Sequence, residues 1–290
     1  MTDQVKFGLH IWGARRIGVA AFSLFAAAVF LVPALASSEV TFLPHRAVYD
    51  LSLKEASERS GIDAMTGRIV YELTGSACEG YAARYRYSTR IYMNGKVLDN
   101  DQHSTVFESA DGKRFDFITQ YYLNGQREQD LRGKAMRNDK GIIVELSKPD
   151  VRNVELGQAL FMNQHLIKIV KAARAGQTFL TKRVFDGSDN GDQLVDTNAV
   201  IGKAKHNVGI RAGEPSDIKQ KFADRLAWPV SVSYFKTGKV VGGGERLPSY
   251  QVSFLLYEDG VSRDLTMRYD DYSLNAVLTK IEYLKSEPCN

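Results

Sequence analysis

Three short fragments carry residue types suited to acyl transfer. Ser216-Asp217-Ile218-Lys219 has the Ser-x-x-Lys form, Ser188-Asp189-Asn190 the Ser-Asp-Asn form and Lys236-Thr237-Gly238 the Lys-Thr-Gly form. Together these are the parts of a penicillin-interacting site, where a lysine-assisted serine attacks a carbonyl carbon. Their order argues against that chemistry. The nucleophilic serine should come first, on a buried helix, yet Ser-Asp-Asn precedes it and all three crowd into residues 188–238. Lys236-Thr237-Gly238 fits better as a hairpin turn after a strand from Val230 to Phe235.

Asp186-Gly187-Ser188-Asp189-Asn190-Gly191-Asp192 resembles the start of a calcium loop, with Asp186 at its first position. The twelfth position, which should supply a bidentate Glu, is Thr197, and no helix follows. A turn rich in Asp and Gly is the favoured reading. His45, His103, His165 and His206 show neither His-x-His nor His-Glu-x-x-His spacing, so no metal motif emerges. No Walker or Gly-x-Gly-x-x-Gly pattern surrounds Gly242-Gly243-Gly244, which reads as a flexible connection. No catalytic residue, metal or cofactor is therefore expected.

Cys78 and Cys289 are the two cysteines. Without a Cys-x-x-Cys they form neither a thioredoxin-type motif nor a complete zinc site, and Cys289 is too near the chain end to be held against a base. In an oxidising compartment such a pair is a structural disulfide. Trp228, before Pro229, is expected as a core or rim anchor in preference to a ligand-stacking platform.

The elements that would hold these residues are mostly strands. From Tyr81 to Met93 the odd positions are Tyr81, Ala83, Tyr85, Tyr87, Thr89, Ile91 and Met93, while Arg84, Arg86, Ser88 and Arg90 fill even ones. That spacing puts an aromatic row on one face and guanidinium groups on the other. Asn94-Gly95 then supplies a tight hairpin turn, and similar punctuation recurs at Asp111-Gly112, Asn124-Gly125, Lys140-Gly141, Thr237-Gly238 and Asp259-Gly260. The strand-like runs between these marks predict an antiparallel sheet system, a barrel or a sandwich. One segment breaks the pattern. Ala159, Met162, Leu166, Ile169 and Ala173 follow helical spacing, predicting one amphipathic helix near residues 155–175. Its polar side is expected to carry Gln158, His165, Lys168 and Lys171, with Gly176 at its end. Met162, Leu166 and Ile169 then either fill the core or line a ligand cavity against a curved sheet. Val200 to Asp224, charged and interrupted by glycines, reads as a long loop or mobile insertion.

Arg15 and Arg16, an apolar run from Ile17 to Leu35 and the ending Ala34-Leu35-Ala36 form the three parts of a secretory signal peptide. Cleavage after Ala36 would leave residues 37–290 as a single exported domain, periplasmic in a cell with two membranes. A retained anchor is the alternative. The first 36 residues hold three cations and one anion, so the formal charge falls from +4 to +2. That balance gives no case for nucleic acid binding, which needs concentrated basic surface.

In order along the chain, Pro44-His45-Arg46-Ala47-Val48-Tyr49-Asp50-Leu51, Gly67-Arg68, Phe185-Asp186-Gly187-Ser188, Ala227-Trp228-Pro229-Val230 and the cysteine pair resemble the EipB family. These are periplasmic cell-envelope-integrity proteins of alphaproteobacteria. The resemblance implies a mainly β fold, a long antiparallel sheet curled into a spiral or open barrel around one principal helix. That architecture is similar to the lipoprotein carriers LolA and LolB. It also implies envelope maintenance without a known reaction, by binding an envelope component or partner protein, a periplasmic helical-repeat protein among them. The alternative is a carrier for a lipid or other amphiphile between sheet and helix.

Overall fold

The computed structural model describes residues 39–237, 246–286 and 289. The expected signal peptide and the Gly242-Gly243-Gly244 connection lie outside the described residues.

Alternating side chains and tight turns fold the chain into one antiparallel sheet of 14 strands. The strands are β1 (His45–Ala56), β2 (Ile62–Ser76), β3 (Gly80–Met93), β4 (Lys96–Glu108), β5 (Arg114–Leu123), β6 (Gln126–Asn138), β7 (Gly141–Lys148) and β8 (Arg152–Leu156). After helix α1 (Met162–Arg174) come β9 (Phe179–Val184), β10 (Val195–Ile201), helix α2 (Ser216–Lys221), β11 (Ala227–Lys236), β12 (Tyr250–Tyr257), β13 (Ser262–Arg268) and β14 (Tyr272–Tyr283). Their spatial order is β8-β7-β6-β5-β4-β3-β2-β1-β14-β13-β12-β11-β10-β9. The sheet is therefore two meandering arms joined where β1 pairs with β14, and it does not close into a barrel. Asn94-Gly95 and Asn124-Gly125 adopt the positive φ angles that two-residue hairpins require. Four of the strands, β4, β6, β8 and β10, fall outside the runs that alternation marks.

The two edge strands come close through the segment that joins them. Leu160 forms a parallel bridge with Val184 of β9, with Leu160 N donating to Arg183 O at 2.9 Å and Phe185 N to Leu160 O at 2.8 Å. This pairing shortens α1 relative to the expected helix. Residues 152–156 are strand, and the chain stays extended through Phe161, whose fully buried ring stacks on Phe115 at 5.1 Å. Helix α1 has no cap of its own at Phe161. Glu108, at the end of β4, supplies one: its carboxylate accepts Asn163 N at 2.7 Å and Gln164 N at 3.0 Å. Gly176 takes a positive φ just past the helix end, as its position predicts.

His165 is the clearest departure on the helix. Expected on a solvated side, it is 5% exposed and bonds Thr197 of β10 at 3.1 Å. A sheet that curls around a helix covers more than one of its faces. Met162, conversely, is 41% exposed at the first helical turn, Leu166 is half-buried and Ile169 is fully buried.

Two buried clusters occupy the curled sheet, one around α1 and one beside α2, and they meet at Tyr71 and Val252. Alternation lets β12 serve both: Phe254 and Leu256 pack on the first cluster, Leu255 and Tyr257 in the second. The segment read as a loop from Val200 to Asp224 contains the end of β10 and also α2, and it is pinned by buried Ile218 and Phe222. On the outer face the arginines of β3 meet carboxylates of β4, Arg86 with Asp101 and Arg90 with Asp99, each at 2.8 Å. Such exposed cross-strand pairs neutralise the surface and add little stability.

Glu108 and His165 give α1 two opposite responses to pH. Burial pushes Glu108 up from 4.5 to about 7, so its contribution is complete below pH 4.5 and is lost as pH rises through 7. Burial, helped by Lys182, pushes His165 down from 6.5 to about 4, so its contribution is complete above pH 6.5 and is lost as pH falls through 4. Each amounts to about 3 kcal/mol at most. Between pH 4.5 and 6.5 the two offset one another. We predict that Glu108→Gln leaves the histidine effect uncovered. Urea midpoints of the variant should then fall more steeply on acidification than those of the wild type, and those of His165→Asn less steeply. Parallel pH profiles for all three proteins would contradict the assignment.

Candidate functional site

The arm from β2 to β6 presents polar and aromatic side chains to the inside of the curl. Tyr71 lies opposite Tyr85, Tyr85 opposite Ser104, and Ser104 opposite Thr119, with the two hydroxyls 3.0 Å apart. One step along, Tyr87 faces Gln102 and Gln102 faces Tyr121. The Gln102 amide donates to the Tyr85 hydroxyl at 2.9 Å, and the Tyr121 hydroxyl donates to Asn100 at 2.9 Å. The same alternation that sets arginines outside sets these groups inside.

The other arm contributes a ladder of rings across four strands. Tyr234 of β11 and Tyr250 of β12 are parallel, 4.3 Å apart with 6° between planes. Tyr269, just past β13, follows Tyr250 at 6.0 Å, and Tyr272 at the start of β14 follows Tyr269 at 4.7 Å. Tyr87 of β3 packs on the same buried cluster as Tyr269 and Tyr272, so rings of both arms approach one another.

Burial pushes these phenols up, Tyr234 and Tyr272 to about 12, and it raises Tyr71, Tyr87 and Tyr250 as well. Yet all of these rings keep part of their surface uncovered. The hydroxyls are thus set back from bulk water on rings that stay partly exposed, whereas a packed core would cover the rings too.

The loop after β9 crosses from one arm to the other. Gln129 of β6 donates to Asp189 O at 2.8 Å, and Arg152 binds Asp192 at 2.7 Å. Gly187 and Gly191, both at positive φ, pass so close to Phe117 that a Cβ on either would come within 3.0 Å of its ring. Asp186 opens this loop, half-buried, and its charge lies on the side of the Tyr85, Tyr234 and Tyr250 phenols. Asp189, Asp192 and Asp186 are engaged separately, by Lys236 at 3.9 Å, by Arg152 and by Ser188 N at 2.9 Å. No group of three or more His, Cys, Asp or Glu converges among the described residues.

The other singled-out residues are dispersed. Ser188-Asp189-Asn190 and Lys236 lie near each other through the Lys236–Asp189 contact, but Ser216 and Lys219 are exposed on α2, which packs beside β14. His45 is buried with Nδ1 2.7 Å from Leu43 O, His103 pairs with Asp101 on the outside, and His206 is exposed. Trp228 is 3% exposed in the first cluster. Cys78, in the turn between β2 and β3, is bonded to Cys289 with Cα atoms 5.8 Å apart. A separate cleft of about 130 Å³ beside α1 includes Glu108, whose carboxylate is already engaged in capping the helix.

Comparison with known proteins agrees with this architecture. EipB, a cell envelope integrity protein of Brucella abortus (strain 2308), is 38% identical over 261 residues, covering 90% of this chain and 91% of that protein. A crystal structure of a beta-barrel-like protein of a domain of unknown function from Brucella abortus superposes with a TM-score of 0.78 at 38% identity, covering 85% of this chain and all of that one. Residues 36–285 match the family described as EipB-like. On this footing of sequence and fold together, the chain belongs to the EipB-like family of cell envelope integrity proteins.

Proposed function

We propose that this chain is a non-catalytic periplasmic protein, exported with cleavage after Ala36, that supports envelope integrity by holding an envelope component inside its curled sheet. The observation that carries the reading is the lining of the curled sheet, where partly exposed tyrosines from both arms approach one another. Small-molecule sites are concave and partly aromatic, with a few polar groups that fix orientation. Phenols, Gln102, Asn100 and Asp186 are such groups. A channel for bare acyl chains would be lined by aliphatic side chains instead, so the lipid-carrier alternative fits this lining less well. The non-catalytic part of the reading rests on the order of the three acyl-transfer fragments, in which Ser-Asp-Asn precedes the Ser-x-x-Lys that should come first. No helix among the described residues is long and apolar enough to cross a membrane.

Deleting the protein should sensitise its host to detergents and envelope-active antibiotics, and the wild-type chain should restore resistance. Tyr250→Leu, which removes one rung of the ladder, should leave the circular dichroism spectrum and abundance unchanged yet restore only about a fifth of that resistance, since one stacked aromatic contributes about 1 kcal/mol to holding a ligand. Full complementation by this variant would remove support for the interior as the working site.

A further inference from the structure

The cleft beside α1 is a recess of about 130 Å³ with buried residues at its base. Tyr81 at the start of β3 lies directly opposite Glu108 at the end of β4, and the two are 4% and 1% exposed. Helix α1 forms a wall through Asn163, Ile167 and Lys171, which share one helical face. Val40 and Ala77 line the cleft as well, and its mouth carries exposed Glu39 and Ala110.

The polar groups of this recess are only partly used. Each Glu108 oxygen accepts one helix N–H, from Asn163 and from Gln164. The Tyr81 hydroxyl accepts Phe42 N at 3.0 Å, and its own proton has no acceptor among the described residues. Asn163 is 9% exposed, and its side-chain amide has no hydrogen bond among the described residues. A carboxamide carries two N–H donors and a carbonyl acceptor, and leaving them unpaired in a buried setting is costly.

The group that answers such an amide carries a donor and an acceptor side by side, as another amide does. Val40, Ala77 and Ile167 surround the remaining space with methyl groups, suited to a small apolar end. A recess with a buried base takes a terminal group, not the middle of a chain. Carboxylates stand at base and mouth, Glu108 and Glu39, a setting that repels a phosphate or other anion. We infer that the cleft binds the acetamido group of a neutral N-acetylated amino sugar. Asn163 pairs with the amide, Val40, Ala77 and Ile167 receive the methyl, and Tyr81 donates to a ring hydroxyl. The site shares no residue with the tyrosine ladder and stands independently of it.

Nuclear magnetic resonance titration of the purified chain with N-acetylglucosamine, and with glucose, which lacks the acetamido group, isolates the amide. N-acetylglucosamine should bind about tenfold or more tighter, the discrimination expected where a buried amide is otherwise left unpaired. Asn163→Leu keeps the backbone N–H that Glu108 accepts and should bring the two sugars together. Ala110→Phe, a change at the exposed mouth, should weaken N-acetylglucosamine severalfold with an unchanged circular dichroism spectrum. Tyr250→Leu should leave its affinity as in the wild type; a loss there moves the sugar to the tyrosine-lined interior and overturns the cleft. N-acetylglycinamide should bind more weakly than the sugar, and equal or tighter binding assigns the acetamido group to a peptide instead. Equal affinity for the two sugars overturns the amide pairing. N-acetylglucosamine binding that survives both Asn163→Leu and Ala110→Phe overturns the location. Failure of both sugars to bind leaves water as the occupant and overturns the inference.

Discussion

Replacing Cys78 or Cys289 with serine should lower the melting temperature by about 5–10 °C while the fold stays recognisable. Both cysteines are exposed, so serine removes a covalent bond and almost no packing. The bond spans 211 residues and ties the turn after β2 to the tail beyond β14, two neighbours along from each other in the sheet through β1. For a loop of that length the chain-entropy account gives about 5 kcal/mol, and residual structure in the unfolded chain reduces it to roughly half. The double replacement should cost no more than either single one, because the same bond is lost each time. Thermal melts of the three variants check the magnitude, and thiol labelling without reductant checks the bond. A double variant markedly less stable than both singles would show that the cysteines act through something other than their bond.

Breaking the Glu214–Arg263 pair should cost more than any surface change. Both side chains are 0% exposed. Arg263 Nε donates to Glu214 at 3.0 Å and its Nη1 to the Tyr257 hydroxyl at 2.9 Å, while its guanidinium lies 4.9 Å from the Phe222 ring centre. Glu214 also accepts Arg211 N at 2.9 Å, so the pair fastens the segment carrying α2 onto β13. Removing one member leaves a buried, uncompensated charge, a loss of about 3–5 kcal/mol. Glu214→Ala and Arg263→Ala should each lower the urea midpoint accordingly. The paired change Glu214→Leu with Arg263→Met should recover much of the loss, since apolar groups of similar volume often replace a buried pair at little cost. A single variant within about 1 kcal/mol of wild type would contradict the burial argument.

What could be read from the residues, and what could not, follows the polarity of the interior. Strand β3 was legible because Tyr81 to Met93 alternates with arginines, and the Asn-Gly turns marked its end. Its partner β4 was not, because Asn100, Gln102 and Ser104 take the inward positions where alternation expects apolar residues. In β6 the inward positions include Gly133 and Ala135, too small to signal a buried face. The polar lining that hides these strands is the same lining that makes the candidate site. Helix α1 was visible from its stripe, but Ala159 and Leu160 continue its apolar period while their backbone bridges to β9. A local pattern carries no information about that long-range pairing. Tyr234, Tyr250 and the Tyr269–Tyr272 turn are apart in sequence, and strand pairing assembles them, Tyr234 lying directly opposite Tyr250. The disulfide needed no such pairing to be named, since compartment and cysteine count sufficed.

The central claim, that the tyrosine-lined interior holds an envelope component, is tested most directly by native mass spectrometry of the protein isolated from its native host. The predicted spectrum shows the disulfide-bonded chain carrying an added, non-covalent mass that collisional activation removes, and that is absent from Tyr250→Leu isolated in the same way. A spectrum of the bare chain alone, at the gentlest conditions that keep it folded, would contradict the claim.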